Sequence, residues 1–339
     1  MFGTTEMTFD TFKSEVLAKL KDHLPLQFAD ERFRVIQIPK FNEMVDALEL
    51  EGNPQYGHLN LNALYQDYVY GHEMEAVLQN AADALLNHNA SNSHESICEL
   101  SSIRDRLFIR ICSYDRNKEY LMRVPYQRSG DFALTYNMLI EQVEDCVISV
   151  EVTNEDMEAG CFTKDDLHEA AIENCMQKHP LLMENLDTYA RKQLRLQMEK
   201  DGVPGFLIEI ALNEMLSEPV DDIPIYVVTN TSGVNGAAVL FYPGSMEAIA
   251  EKIGGGYYVI PSSIHDLIVL PDDTLFPLDV MLSMVPAVNR QRVSEKSQLS
   301  DIPYHYDAEK KVFERAVDYV ERIKGISAAH DYDTLREDV

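Results

Sequence analysis

The segment Pro261-Ser262-Ser263-Ile264-His265-Asp266 gathers two hydroxyls, an imidazole and a carboxylate in one short stretch. These are the residue types of nucleophilic acyl transfer, in which a serine attacks, a histidine takes its proton and a carboxylate orients the ring. Ser263 and His265 stand two apart, so in extended backbone both side chains leave the same side. The signals that would complete such a site are missing. A nucleophile elbow carries Gly-x-Ser-x-Gly, and "PSSIH" has no flanking glycine. The sequence also offers no base-orienting partner for the histidine. The competing reading is structural: Pro261 ends a strand, Ser262 or Ser263 caps a single helical turn, and Asp266 follows Ser263 at capping-box spacing. The structural reading is preferred, and Ser262, Ser263, His265 and Asp266 are kept as candidate catalytic residues.

Other combinations are weaker. Gly254–Gly256 follow a helical pattern rather than opening one and lack a Gly-Lys-Ser/Thr continuation, so they read as a helix C-cap, not a phosphate cradle. "GHEME" (71–75) lacks the second histidine of a zinc-protease helix, and "HNASNSH" (88–94) lacks partner ligands at fixed offsets. "HDYD" lies in the polar tail. The five cysteines, Cys98, Cys112, Cys146, Cys161 and Cys175, form no Cys-x-x-Cys pair. No metal and no cofactor is expected. The adjacent pairs Asp165–Asp166, Asp221–Asp222 and Asp272–Asp273 diverge and read as solvent-facing. Tyr65 and Tyr68, three apart on a helical face, suit core packing or a partner surface.

The elements that position these residues can be read from periodicity. Phe9, Phe12, Val16 and Leu20 recur at helical spacing behind Thr8, the candidate N-cap. "RFRVIQIP" alternates as a strand and pairs with "EMVDALEL". "HLNLNALYQDYVYG" runs from strand to helix and ends at Gly71, and "EMEAVLQNAADALLNH" (73–88) is a further helix. In residues 97–125, Ile103, Leu107 and Ile111 fit a helix, preferred over a strand at "LFIRI", with Pro125 closing the segment. "DFALTYNMLI" and "CVISVEV" are adjacent strands. Thr163 and Asp166 open a helix as a capping box, and 184–200 is a charged amphipathic helix. Strands follow at "IPIYVVTN", "GAAVLFYP", "GYYVI" and "DLIVLP". The helix of "LDVMLSMVPAVNRQ" is expected to be disturbed at Pro286.

Charge sets the partner class. With 57 acidic and 29 basic residues the formal net charge is −28. Non-specific nucleic-acid binding needs the opposite surplus, so no direct nucleic-acid contact is expected. A solvated acidic surface is the preferred explanation, and an acidic DNA-mimic inhibitor is the sharper alternative. The opening "MFGTTEMTFDTFKSEV" has neither a basic n-region nor an apolar core. No apolar run approaches the roughly 20 residues of a spanning helix. These features, with sparse cysteines, predict a cytoplasmic protein with no membrane partner.

Taken in order, "HLNLNALYQDYVYG", "YDRNKEYLMRVPYQRSGDFALTY", "TKDDLHEAAIENCMQKHP", "VTNTSGVNGAAVLFYPGSMEAIAEKIGGGYYVIPSSIHDLIVLP" and "LSDIPYHYD" resemble the bacterial family catalogued as domain of unknown function number 5688. The resemblance spans roughly residues 8–315, and "PSSIHD" is its most recognisable stretch, with Glu common where this chain has Asp266. Trp-Gly is expected at Gly160–Cys161, and this chain has no tryptophan, which implies a repacked position. The resemblance implies a protein of anaerobic gut bacteria, often carried on mobile elements. It implies no activity, cofactor or catalytic residue.

The order of elements predicts an α+β fold, with a mixed β-sheet, flanking helices and a helix-rich N-terminal region. The expected divisions are an N-terminal helix and strand region (1–125), an α+β domain (126–325) and a polar tail (326–339). The preferred function is a non-enzymatic accessory protein that binds another protein. The alternatives are a hydrolase-like enzyme using Ser263 or Ser262 with His265, and the DNA mimic.

Overall fold

In the computed structural model, the β1–β2 hairpin is where pattern most directly becomes structure. The structure describes residues 7–53, 56–90, 100–143, 146–215, 224–273 and 276–325. The tail 326–339, His94, Cys98, Asp221–Asp222 and the "HDYD" segment lie outside the described residues. The chain forms two compact units, residues 1–99 with 158–161, and residues 100–157 with 162–339.

In the smaller unit, β1 (Phe33–Lys40) and β2 (Glu43–Leu50) pair antiparallel from Phe33↔Leu50 to Lys40↔Glu43. The turn between them needs a left-handed residue, and Asn42 supplies it at φ 59°. β3 (His58–Asn60) adds to β2 and runs into the Leu61–Val69 helix, where Asn60 caps the Ala63 N–H. The Phe9–Lys19 helix, capped by Thr8, contributes Phe12 and Val16 to a core with Leu48, Leu61, Leu78 and Leu85. Tyr65 and Tyr68 pack against that core, Tyr65 with its ring 5.3 Å from Phe12, which is the packing reading of that pair.

The larger unit holds two antiparallel sheets. One comprises β4 (Leu107–Ser113), β5 (Tyr126–Ser129), β6 (Phe132–Val143) and β7 (Cys146–Glu151), with β6 pairing to the other three. The second runs β13-β12-β10-β11-β9-β8, from β8 (Leu181–Asn185), β9 (Tyr226–Asn230), β10 (Tyr257–Ile260), β11 (Leu267–Pro271), β12 (Tyr304–Asp307) and β13 (Val312–Arg315). The class is α+β, and the described strands divide among three antiparallel sheets rather than forming one mixed sheet. Pro125 lies within the larger unit, directly before β5.

Three local expectations are corrected. Residues 107–113 form a strand, not a helix. Leu107, Ile109 and Ile111 alternate inward, and seven residues pair with β6. Leu107 and Ile111 satisfy both periods, and the tertiary pairing decides. "GAAVLF" is a 3-10 helix, Gly236–Phe241, with its first five residues buried. A run that is apolar throughout carries no period to separate strand from helix. The Leu278–Arg292 helix runs through Pro286 without ending, because buried Met281, Val285 and Asn289 anchor it on both sides. The Thr163–Asp166 capping box forms as expected, with both reciprocal bonds present.

One tie joins distant parts of the larger unit. Asp131, at the β5–β6 turn, accepts Arg315 Nε at 2.6 Å, Arg315 Nη2 at 2.7 Å and the Tyr304 hydroxyl at 2.7 Å. Beside it, Phe132 packs its ring 4.9 Å from Tyr304, with Phe313 stacked on Tyr304 at 5.2 Å.

Candidate functional site

The Pro261–Asp266 corner connects β10 to β11 and is strapped to residues 297–300. Ile264 N–H donates to Ser297 O (2.8 Å), Leu299 N–H to Ser262 O (3.1 Å) and Ser300 N–H to Pro261 O (2.9 Å). The segment after β9 closes the other side. Ala237 N–H donates to Ile264 O at 3.1 Å and the Thr229 hydroxyl to His265 O at 2.8 Å. These backbone groups of the corner therefore have partners, as burial requires.

Each candidate residue faces a different task. Ser263, 9% exposed, accepts the His265 N–H at 2.9 Å and donates to the Asp266 carboxylate. It caps a bend, not the expected helical turn, through a serine-type turn two residues long. Asp266 has its proton affinity raised by burial, against the opposing pull of His265 and Ser263. Ser262 lines an apolar cavity on the opposite side of the corner's chain from the hydrogen-bonded cluster. The structure brings Ser263, His265 and Asp266 together and directs Ser262 elsewhere.

The imidazole is held by residues that sequence reasoning missed. His265 Nδ1 accepts the backbone N–H of Asn235 at 3.3 Å, and Nε2 lies 3.4 Å from the Ser297 hydroxyl. An acceptor at Nδ1 places the proton of a neutral ring on Nε2. The ring then donates to Ser297. A serine-activating histidine needs the reverse, with Nδ1 donating to a carboxylate and Nε2 free to accept. Burial lowers the His265 proton affinity, with Asp266 opposing and Arg110 reinforcing, which favours the neutral ring. Asn235 reaches the histidine because it adopts φ 52°, and Gly236 follows because a Cβ there would stand 2.0 Å from Thr229 Oγ1 and 2.4 Å from His265 O. The Asn-Gly dipeptide was the available signal for that turn.

A second concavity, about 60 Å³, opens beside the same loop and includes Asn235, Cys175, His179 and Tyr242 in its walls. Its volume is on the order of a few waters. Cys175 Sγ accepts the Ile109 N–H at 3.4 Å, and burial pushes its thiol up, away from the nucleophilic thiolate. Elsewhere, fully buried His305 stacks on Tyr319 with ring centroids 3.4 Å apart and meets Asp272 at 3.2 Å. Burial lowers its proton affinity against that carboxylate. Among the described residues, no three His, Cys, Asp or Glu side chains group as a metal site would require. Among the same residues, no helix is long and apolar enough to cross a membrane.

The α+β architecture and the strapped corner are those of a protein whose polar β10–β11 turn is built into its frame. A model of a family of unknown function, DUF5688, matches residues 9–308, and the chain belongs to that family. No curated protein and no solved structure gives a significant match.

Proposed function

We propose that this chain is a non-enzymatic accessory protein that binds another protein, docking it on the Gly205–Met215 helix. The observation that carries this reading is one apolar face left in water. Phe206, Leu207 and Ile210 are 68%, 43% and 51% exposed, while Ile208 and Leu212 are buried and hold the helix in place. Positions 206, 207 and 210 share a face by helical spacing. Contiguous apolar surface of this kind marks interaction sites, whereas isolated exposed residues need no explanation. The neighbouring Leu186–Lys200 helix has no buried residue and is tied to it by the Arg195–Glu209 ion pair at 2.6 Å. A net charge of −28 favours a partner whose contact is apolar at its centre and basic at its rim. The same reading places the protein in the cytoplasm of a bacterium, encoded on a chromosome or a mobile element.

The test is site-specific photocrosslinking in the native host. A crosslinker at position 206 or 210 is expected to give one discrete adduct, absent when it sits at exposed Leu26 and lost with Ile210→Glu when the label is at 206. Equal crosslinking at position 26, or an unchanged adduct in the Glu variant, overturns the proposal.

A further inference from the structure

The helix that runs through Pro286 does not pack flush on the sheet beneath it. Between them lies a cavity of about 200 Å³. Its floor is the sheet face where Ile260 and Ile268 pair directly across β10 and β11. Its roof is the row of Met284, Val285 and Val288. Protein interiors are packed like organic crystals, and voids larger than a water molecule are few. This one exceeds the roughly 150 Å³ of an engineered apolar cavity that takes up benzene. Val288 is 39% exposed, which places the mouth at the C-terminal half of the helix. Met284, unbranched and adaptable, stands one turn before it and can re-pack around a guest.

Its chemistry is specific in two respects. Ser262 is the one polar side chain among the residues lining it. None of those residues is charged, so an ionised head group would be desolvated without a counter-charge. We propose that the cavity is a binding site for a small neutral amphiphile: a hydrocarbon body about the size of one substituted ring, with one hydroxyl or carbonyl hydrogen-bonded to the Ser262 hydroxyl. The role gives Ser262 a partner of its own, while Ser263 serves the corner.

The experiment uses the full chain labelled with [13C-methyl]methionine, titrated with benzyl alcohol, 1-hexanol, toluene and hexanoate at neutral pH. The two alcohols are expected to shift the Met284 methyl resonance saturably, and hexanoate to bind at least about tenfold more weakly. Ser262→Ala is expected to weaken benzyl alcohol about fivefold and to leave toluene unchanged. Val288→Phe, which fills the mouth, is expected to raise the Tm and abolish binding of all four probes. A linear, non-saturable shift in the wild-type protein overturns the proposal without reference to any variant. Hexanoate binding as tightly as hexanol, or an equal loss of toluene in Ser262→Ala, removes the assignment of a neutral head group to Ser262.

Discussion

Asn235 donates its backbone N–H to Nδ1 of His265 at 3.3 Å, across 30 residues of sequence. The bond fixes the tautomer of the ring and with it the direction of the next bond, from Nε2 to Ser297. A histidine wired this way joins three segments, the post-β9 loop, the β10–β11 corner and the 297–300 strap. Its protonation therefore bears on stability.

His265 is expected to make the fold acid-sensitive. Its folded proton affinity is lowered by burial, so the unfolded chain takes up the proton first. Stability is then fully present above the unfolded pKa of about 6.5 and falls as pH drops below it toward the folded value. His168, His179 and His305 are displaced in the same direction by the same cause. His265→Asn keeps an acceptor and removes the titration. Urea midpoints at pH 7.5, 6.5 and 5.5 should show a shallower decline in that variant, and parallel declines would refute the assignment.

Gly236→Ala is expected to cost roughly 1–3 kcal/mol, the usual range for overpacking. The new methyl meets Thr229 Oγ1 and the carbonyl oxygen of His265, 2.0 and 2.4 Å away. Adding Thr229→Ala should restore only part of the loss, because the backbone oxygen remains. Complete rescue in denaturant melts would show that the backbone contact relaxes freely.

Asp131→Asn should destabilise the larger unit by about 1–2 kcal/mol. That figure takes a charge-assisted hydrogen bond and discounts it because Arg315 is 42% exposed. The Arg315 guanidinium holds the Asp131 carboxyl below the usual carboxylate range. Its contribution is present above the unfolded pKa of about 3.9 and is lost as pH falls through the folded value. Thermal unfolding should separate wild type and variant more at pH 7 than at pH 3.

Native alkylation should separate the thiols. Cys161 is exposed, while Cys112 is buried and its thiol is pushed up to about 12 by burial. Iodoacetamide at pH 7.5 followed by peptide mapping is expected to modify Cys161 rapidly and to spare Cys112 until denaturant is added. Comparable rates at both positions would contradict the burial of Cys112.

Local chemistry was legible and long-range choice was not. The β1–β2 pairing follows from alternation, and the Thr163–Asp166 box from two residues at fixed spacing. The strand at Leu107–Ser113 is not legible in the sequence because its apolar residues also fit a helical period, and only β6 arbitrates. Residues 236–241 offered no period at all. At the site, the capping role of Ser263 could be read in part, since its partners are its neighbours. The partners of the His265 ring, Asn235 and Ser297, lie 30 and 32 residues away, where no spacing rule reaches.

The tie between Asp131 and Arg315 closes a span of 184 residues. The sheet of β4–β7 leaves the ribosome well before Tyr304 and Phe313, the rings that cover Phe132. Synthesis therefore imposes a waiting period in which that face is made but unroofed, and contacts so distant in sequence are slow to form. Nascent chains arrested before residue 304 should be more sensitive to protease around β6 than chains released at full length. The last strands are the keystone of a unit whose β4–β7 sheet was finished long before.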